Sequence, residues 1–123
     1  FYAARMEQLA RVEPNPAHRV LAAMARHYPD FLLVTQNVDN LHERAGSPEV
    51  LHLHGELLST RCTVCGTVAS PVGPLRAEAM ADGPLPTCSC GELLRPNVVW
   101  FGEMLDPTLL QRVDRFMRDA RPE

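Results

Sequence analysis

Phe31-Leu32-Leu33-Val34 is a short, continuous apolar run, and Thr35-Gln36-Asn37-Val38-Asp39-Asn40-Leu41-His42 follows it directly. Four apolar residues in a row after the breaker Pro29-Asp30 read as a strand buried on both faces, as in a parallel sheet. In open α/β sheets, ligands bind beyond the carboxyl ends of the strands. Gln36, Asn37 and Asp39 therefore stand where a cofactor would lie, with amides and a carboxylate suited to ribose hydroxyls and a carboxamide. The same residues also suit a plain capped loop, in which Asn37 or Asp39 starts a short helix from Asp39 to Ala45, ended by Gly46. Spacing alone leaves both readings open.

On the N-terminal side, Phe1 to Val12 reads as a helix, with Phe1, Met6, Leu9 and Val12 at near-helical spacing. Glu13-Pro14-Asn15-Pro16 breaks it, and Asn15 caps a second helix running to about His27. Val20, Leu21, Met24 and Tyr28 fall on one side of that helix. On the C-terminal side, Val50 to His54 is a second strand, stopped by Gly55. His52 and His54 would share a face, because side chains alternate along a strand. A histidine at a strand end beside a cofactor crevice is a candidate general base, and the alternative is a purely structural imidazole. Helix, strand, helix, strand in order predicts an α/β layered fold. Farther on, Asn97 to Phe101 returns to strand. Asp106-Pro107 then caps a last amphipathic helix whose inner face would hold Leu109, Leu110, Val113, Phe116 and Met117.

From Leu57 to Leu94 the large apolar residues thin out while Gly, Pro, Ser and Thr rise, and all four cysteines lie here. Cys62-Thr63-Val64-Cys65 is a C-x2-C knuckle followed by Gly66, and Cys88-Ser89-Cys90 is a tighter C-x-C pair followed by Gly91. Two such pairs supply four sulfurs, a closed tetrahedral zinc site with no open position for water, so one structural Zn2+ is expected. Two disulfides are the alternative, and the absence of export signals weighs against them.

The bulk properties limit the rest. The 123 residues allow one domain with a real core, and 22% charged residues with a net charge of −3 describe an ordinary soluble balance. Arg dominates the cations but is spread along the chain, so no nucleic-acid partner is expected. No stretch approaches the roughly 20 apolar residues that span a bilayer, so no membrane partner is expected either. With no signal peptide in view, a cytoplasmic, monomeric protein is expected. The chain starts at Phe1 without an initiator Met and stops at Arg121-Pro122-Glu123, which suggests a central fragment of a longer protein.

Taken together, these motifs resemble those of the sirtuin family. Residues Thr35 to His42 resemble its T-Q-N-x-D-x-L-H signature, and His52-Leu53-His54-Gly55 its H-G motif. The cysteine pairs fall where the family carries its zinc module. Leu94-Arg95-Pro96-Asn97-Val98-Val99-Trp100-Phe101-Gly102-Glu103 resembles the R-P-x-V-V-x-F-G-E segment that follows. The resemblance implies part of a Rossmann-like parallel sheet with an inserted zinc-ribbon module. Residues 1–56 and 94–123 would belong to the NAD and catalytic domain, and 57–93 to the module. It also implies NAD as cosubstrate and acylated lysine proteins as partners. The acyl oxygen displaces nicotinamide from the ribose. His54 then acts as general base on a ribose hydroxyl, which attacks the resulting imidate to give free lysine and O-acyl-ADP-ribose. An imidazole suits this step because it titrates near neutrality. Asn37 would serve the catalytic step from the nicotinamide site, which it lines with Asp39, while Gln36 holds the ribose. Val99, Phe101, Gly102 and Glu103 would line the acyl-lysine tunnel and pair with substrate backbone.

Tyr2 and Arg5, three apart on the first helix, share a face. They resemble the Y-x-x-R pair with which one sirtuin class reads the distal carboxylate of succinyl- or malonyl-lysine. Negatively charged acyl groups are therefore expected, with some deacetylation retained. The family's G-A-G-x-S pyrophosphate turn has no counterpart here, so the chain alone is expected to bind NAD weakly and turn over little. Two rivals stand beside this assignment, a zinc-ribbon binding module and a non-catalytic sirtuin-like scaffold.

Overall fold

The computed structural model describes residues 1–69 and 85–120. The middle of the expected zinc module, 70–84, and the terminal Arg121-Pro122-Glu123 lie outside the described residues. The chain divides into two compact units. One comprises Phe1–Val12 and the described part of Glu56–Val98, and the other Glu13–Gly55 with the described part of Val99–Glu123. Among the described residues, no helix is long and apolar enough to cross a membrane.

The second unit begins with α2 (Pro16–His27), entered through a reciprocal cap. The Asn15 side chain accepts from the His18 amide and His18 Nδ1 accepts from the Asn15 amide, both at 3.1 Å. Strands β1 (Val34–Thr35) and β2 (Leu51–His52) pair in parallel, Val34 opposite Leu51 and Thr35 opposite His52. Between them runs α3 (Leu41–Arg44), which packs against α2. Gly46 (φ 95°) closes α3, its amide bonding Glu43 and that of Ser47 bonding His42, the paired bonds of a left-handed helix end.

Several expectations need correction. The apolar run yields a strand only at Val34–Thr35, and only Leu33 of the run is buried. The second strand covers Leu51–His52, and His54 lies in the turn after it, so strand alternation does not govern its direction. Gly55 does not stop strand structure but starts β3. On α2 the fully buried residue is Ala22, whereas Val20, Met24 and Tyr28 are exposed. The reason is steric: α3 lies against α2, and a close approach of two backbones favours the smallest side chain. The last helix, α4 (Pro107–Asp119), forms as expected, with the Asp106 carboxylate accepting from Thr108 at 2.8 Å. None of its residues is buried, because the described residues supply no layer over its apolar stripe.

In the first unit, α1 (Tyr2–Arg11) buries Met6 and Leu9. A three-stranded sheet runs in the order β4 (Val68–Ala69), β3 (Gly55–Cys62), β5 (Leu94–Val98). Strand β3 buries Leu57, Ser59, Thr60 and Cys62. Its polar pair is partly satisfied, since Ser59 Oγ donates to the Glu56 carbonyl at 3.3 Å and accepts from Asn97 Nδ2 at 3.2 Å. The expected strand Asn97 to Phe101 lies earlier, at Leu94–Val98. It ends because Trp100 to Glu103 close a turn: the Trp100 amide donates to Glu103 Oε2 at 2.9 Å and the Glu103 amide to the Trp100 carbonyl at 3.0 Å.

If Ala22 marks the packed face of α2, Ala22→Leu should lose about 1–3 kcal/mol by overpacking. Removing the cap with Asn15→Ala should lose about 1 kcal/mol. Urea unfolding midpoints check both.

Candidate functional site

Beyond the carboxyl ends of β1 and β2 the chain gathers its polar motif residues. The Leu53 amide donates to the Thr35 carbonyl at 3.0 Å, so the two strands leave their ladder side by side. After β1 the backbone turns sharply, with the Asn37 amide donating to Thr35 Oγ1 at 3.0 Å. Asp39 Oδ1 accepts from the Leu41 amide at 3.0 Å, a turn bond just ahead of α3, whose cap residue is Asn40. Gln36 and Asn37 are exposed at this end and Asp39 is half-buried. His54 is half-buried in the turn after β2, and its carbonyl accepts from the Val99 amide at 2.9 Å. Gln36, Asn37, Asp39, His54 and Val99 thus lie on segments joined by backbone hydrogen bonds.

His52, noted from sequence only for its alternation with His54, is the most connected of these residues. It is 8% exposed. Its Nδ1 lies 2.9 Å from the Asn37 carbonyl and its Nε2 2.7 Å from Glu43 Oε1. Neither Glu43 nor this link was legible in the sequence, because the partners are 15 and nine residues away. Beside it, burial and then the neighbouring His18 lower the pKa of His42, whose ring centroid lies 4.6 Å from that of His18.

The expected substrate segment follows β5 and enters the turn at Trp100 to Glu103. The Val99 and Trp100 amides already have backbone or carboxylate partners, and the Phe101 side chain is fully exposed, as are most of Met104 and half of Trp100. Tyr2 and Arg5 occupy the first turns of α1 in the first unit. Arg5 Nη1 donates to Gln8 Oε1 at 3.3 Å, and the guanidinium stands 5.4 Å from the Phe1 ring centroid.

All four cysteines are free thiols, and their Sγ atoms lie within 4.8 Å of one another. Cys62 and Cys90 are 3.5 Å apart, and Cys65 is 3.7 Å from both Cys88 and Cys90. A disulfide needs about 2.0 Å. Four sulfurs placed tetrahedrally about 2.3 Å from one zinc ion are about 3.8 Å apart, close to these separations. The knuckle also aims the Val64 and Cys65 amides at Cys62 Sγ, at 3.5 and 3.4 Å, as suits a thiolate. Gly66 (φ 72°) and Gly91 (φ 90°) make the two turns.

The electrostatics agree. Hydrogen bonds from Thr67 pull the Cys65 thiol down to about 6. A backbone hydrogen bond from Glu92 also pulls Cys90 down, but contacts with the Cys62 and Cys88 sulfurs outweigh it and push that thiol up to about 12. Four thiolates this close repel one another, and a bound cation is what allows all four to ionise. The donor set fits one structural zinc ion. One ion per chain is expected, and Cys62→Ser or Cys88→Ser should abolish stoichiometric loading in a colorimetric zinc assay. Because binding displaces protons from thiols, affinity should fall as pH falls, which the same assay after acid dialysis checks.

Comparison with known proteins gives a consistent answer. The Sir2 family profile matches residues 1–120. NAD-dependent protein deacylase 1 of Archaeoglobus fulgidus is 49% identical over 121 residues, which are 98% of this chain and 46% of that protein. The mitochondrial NAD-dependent protein deacylase sirtuin-5 of Canis lupus familiaris is 42% identical over 137 residues, 94% of this chain and 44% of that protein. Among solved structures, a Sir2 homologue–NAD complex superposes with a TM-score of 0.80 at 48% identity, covering 96% of this chain and 44% of that one. Sir2 bound to acetylated peptide gives 0.72 at 31% identity, covering 89% and 45%. The chain thus spans less than half the length of the curated relatives it matches. Its parallel α/β pairing, its cysteine cluster and a family match along nearly its whole length place this chain in the Sir2 family.

Proposed function

We propose that this chain is the central part of an NAD-dependent protein-lysine deacylase. It would remove succinyl and malonyl groups, and acetyl groups as well, releasing nicotinamide and O-acyl-ADP-ribose. The observation that carries the proposal is the common end of β1 and β2. There the segment Gln36 to Asp39 and the His54 turn emerge from one parallel ladder. Relatives named as NAD-dependent deacylases, and Sir2 structures with NAD or acetylated peptide, support the same chemistry.

When bound, NAD supplies a ribose carbon that carries nicotinamide as leaving group. In the proposed mechanism the His54 imidazole takes a proton from a ribose hydroxyl, from a main chain fastened by Val99. Gln36 holds the ribose through its amide, while Asn37 and Asp39 line the nicotinamide side. The Asp39 carboxylate also accepts from the Leu41 amide, which fixes it. Val99, Phe101, Gly102 and Glu103 receive the acyl-lysine, and a protein substrate would cover the exposed Phe101. Cys62, Cys65, Cys88 and Cys90 hold zinc in a structural role, in a module of residues 57–93 set into a Rossmann-like domain formed by 1–56 and 94–123.

Tyr2 and Arg5 read the distal carboxylate of succinyl- or malonyl-lysine. The Arg5 bond to Gln8 is long and exposed, so a carboxylate can displace it at little cost, and the guanidinium offers a bidentate fork. The net charge of −3 and the spread of Arg along the sequence favour a protein substrate over nucleic acid.

In the full-length protein, His54→Tyr should lower NAD-dependent deacylation at least about 100-fold with zinc content unchanged. Mass spectrometry of acyl-lysine peptides measures the turnover, and unchanged turnover would move the chain to the scaffold reading. Arg5→Met should lose desuccinylation selectively, by about tenfold, while deacetylation persists. Equal rates on succinyl peptide before and after the substitution would discard the carboxylate reader.

A further inference from the structure

His52 sits at the last residue of β2, opposite Thr35, and is buried. Its two ring nitrogens face two groups that only accept: the Asn37 carbonyl at 2.9 Å and a Glu43 carboxylate oxygen at 2.7 Å. To satisfy both, the ring must carry two protons. The adjacent His42 adds no like charge at neutral pH, since burial and then His18 lower its pKa. The Glu43 side chain is 38% exposed and reaches water, so the buried charge has a hydrated partner.

The consequence lies in what these two bonds hold. Asn37 is fixed by its amide to Thr35 Oγ1 and by its carbonyl to His52, which leaves its side chain for a ligand. Glu43 belongs to α3, and Asp39 Oδ1 accepts from the amide of Leu41, the first residue of that helix. His52 therefore fastens both sides of the loop that carries Gln36, Asn37 and Asp39, while His54 follows two residues later on the same backbone. We propose that His52, as an imidazolium paired with Glu43, is a positioning residue that sets the Gln36–Asp39 loop for the nicotinamide half of NAD. The proposal rests on the function given above for its ligand, but not for its geometry.

The test uses the full-length zinc-loaded protein, labelled with 15N-histidine. At neutral pH the His52 ring should show both nitrogens protonated, and in Glu43→Gln one of those protons should be lost. A singly protonated His52 ring in the unmodified protein overturns the proposal whatever the enzyme does. Kinetically, His52→Leu should raise KM for NAD about tenfold by displacing Asn37, with KM for acyl-peptide unchanged. Equal effects on both substrates, as a merely structural residue would give, also overturn it. The double variant His52→Gln/Glu43→Gln should recover most of the NAD affinity. Its amide pair can donate to the Asn37 carbonyl and bridge internally without charge, whereas His52→Gln alone points a carbonyl at a carboxylate. Absence of NAD consumption by the unmodified protein would remove the proposed function, and the ring-proton count would still decide the inference.

Discussion

Two backbone bonds set the frame on which the candidate site depends: Leu51 amide to Leu33 carbonyl at 2.9 Å and Leu53 amide to Thr35 carbonyl at 3.0 Å. They align β1 and β2 in parallel, and parallel strands cannot be joined by a tight hairpin. The chain must leave one strand end, cross over and return. Here the crossover starts with Gln36-Asn37-Val38-Asp39 and contains α3, so the polar residues sit at the ladder's end as a consequence of topology. So short a ladder cannot hold such a loop alone. The Asp39 bond to the Leu41 amide, the Gly46 closure of α3 and the two bonds of His52 each remove one way for the loop to move.

The unit with the cysteines solves a different problem. Among the described residues its sheet has three strands, and β3 buries Ser59 and Thr60 beside Leu57 and Cys62, while α1 buries Met6 and Leu9. Hydroxyls in such positions contribute little hydrophobic free energy and need partners, which Ser59 finds and Thr60 Oγ1 lacks among the described residues. Four sulfurs within 4.8 Å offer a source of stability beside burial, since metal binding adds directly to folding free energy. The Thr67 contact with Cys65 shows the fold already favouring one thiolate.

Apolar pattern and actual burial part company on the helices. Val20, Met24 and Tyr28 recur every four residues on α2, yet Ala22 is the residue sealed from water, because α3 approaches that side. On α4 the stripe from Leu109 to Met117 is as periodic as any in the chain, and no residue of it is buried. Periodicity reports which face would gain from cover. It carries no information about which element covers it, since dehydration depends on neighbours from elsewhere in the chain.

By itself the sequence determined the local chemistry. It set the caps at Asn15 and Asp106, the turns at Gly46, Gly66 and Gly91, the helices at 2–11, 16–27 and 107–119, and the pairing of four cysteines by spacing. Those features depend on dihedral preferences and hydrogen bonds spanning a few residues, which a local reading can follow. The α/β class was legible for the same reason, from alternating helical and apolar runs. Only the tertiary structure decided that β3 exists, with two polar residues buried in a segment that shows little apolar alternation. It also decided that Trp100 to Glu103 fold into a turn, and that His52 joins Asn37 and Glu43. Each of these rests on partners brought together by the folded backbone. Their energy comes from desolvation and hydrogen bonding in three dimensions, to which adjacent residues give no guide.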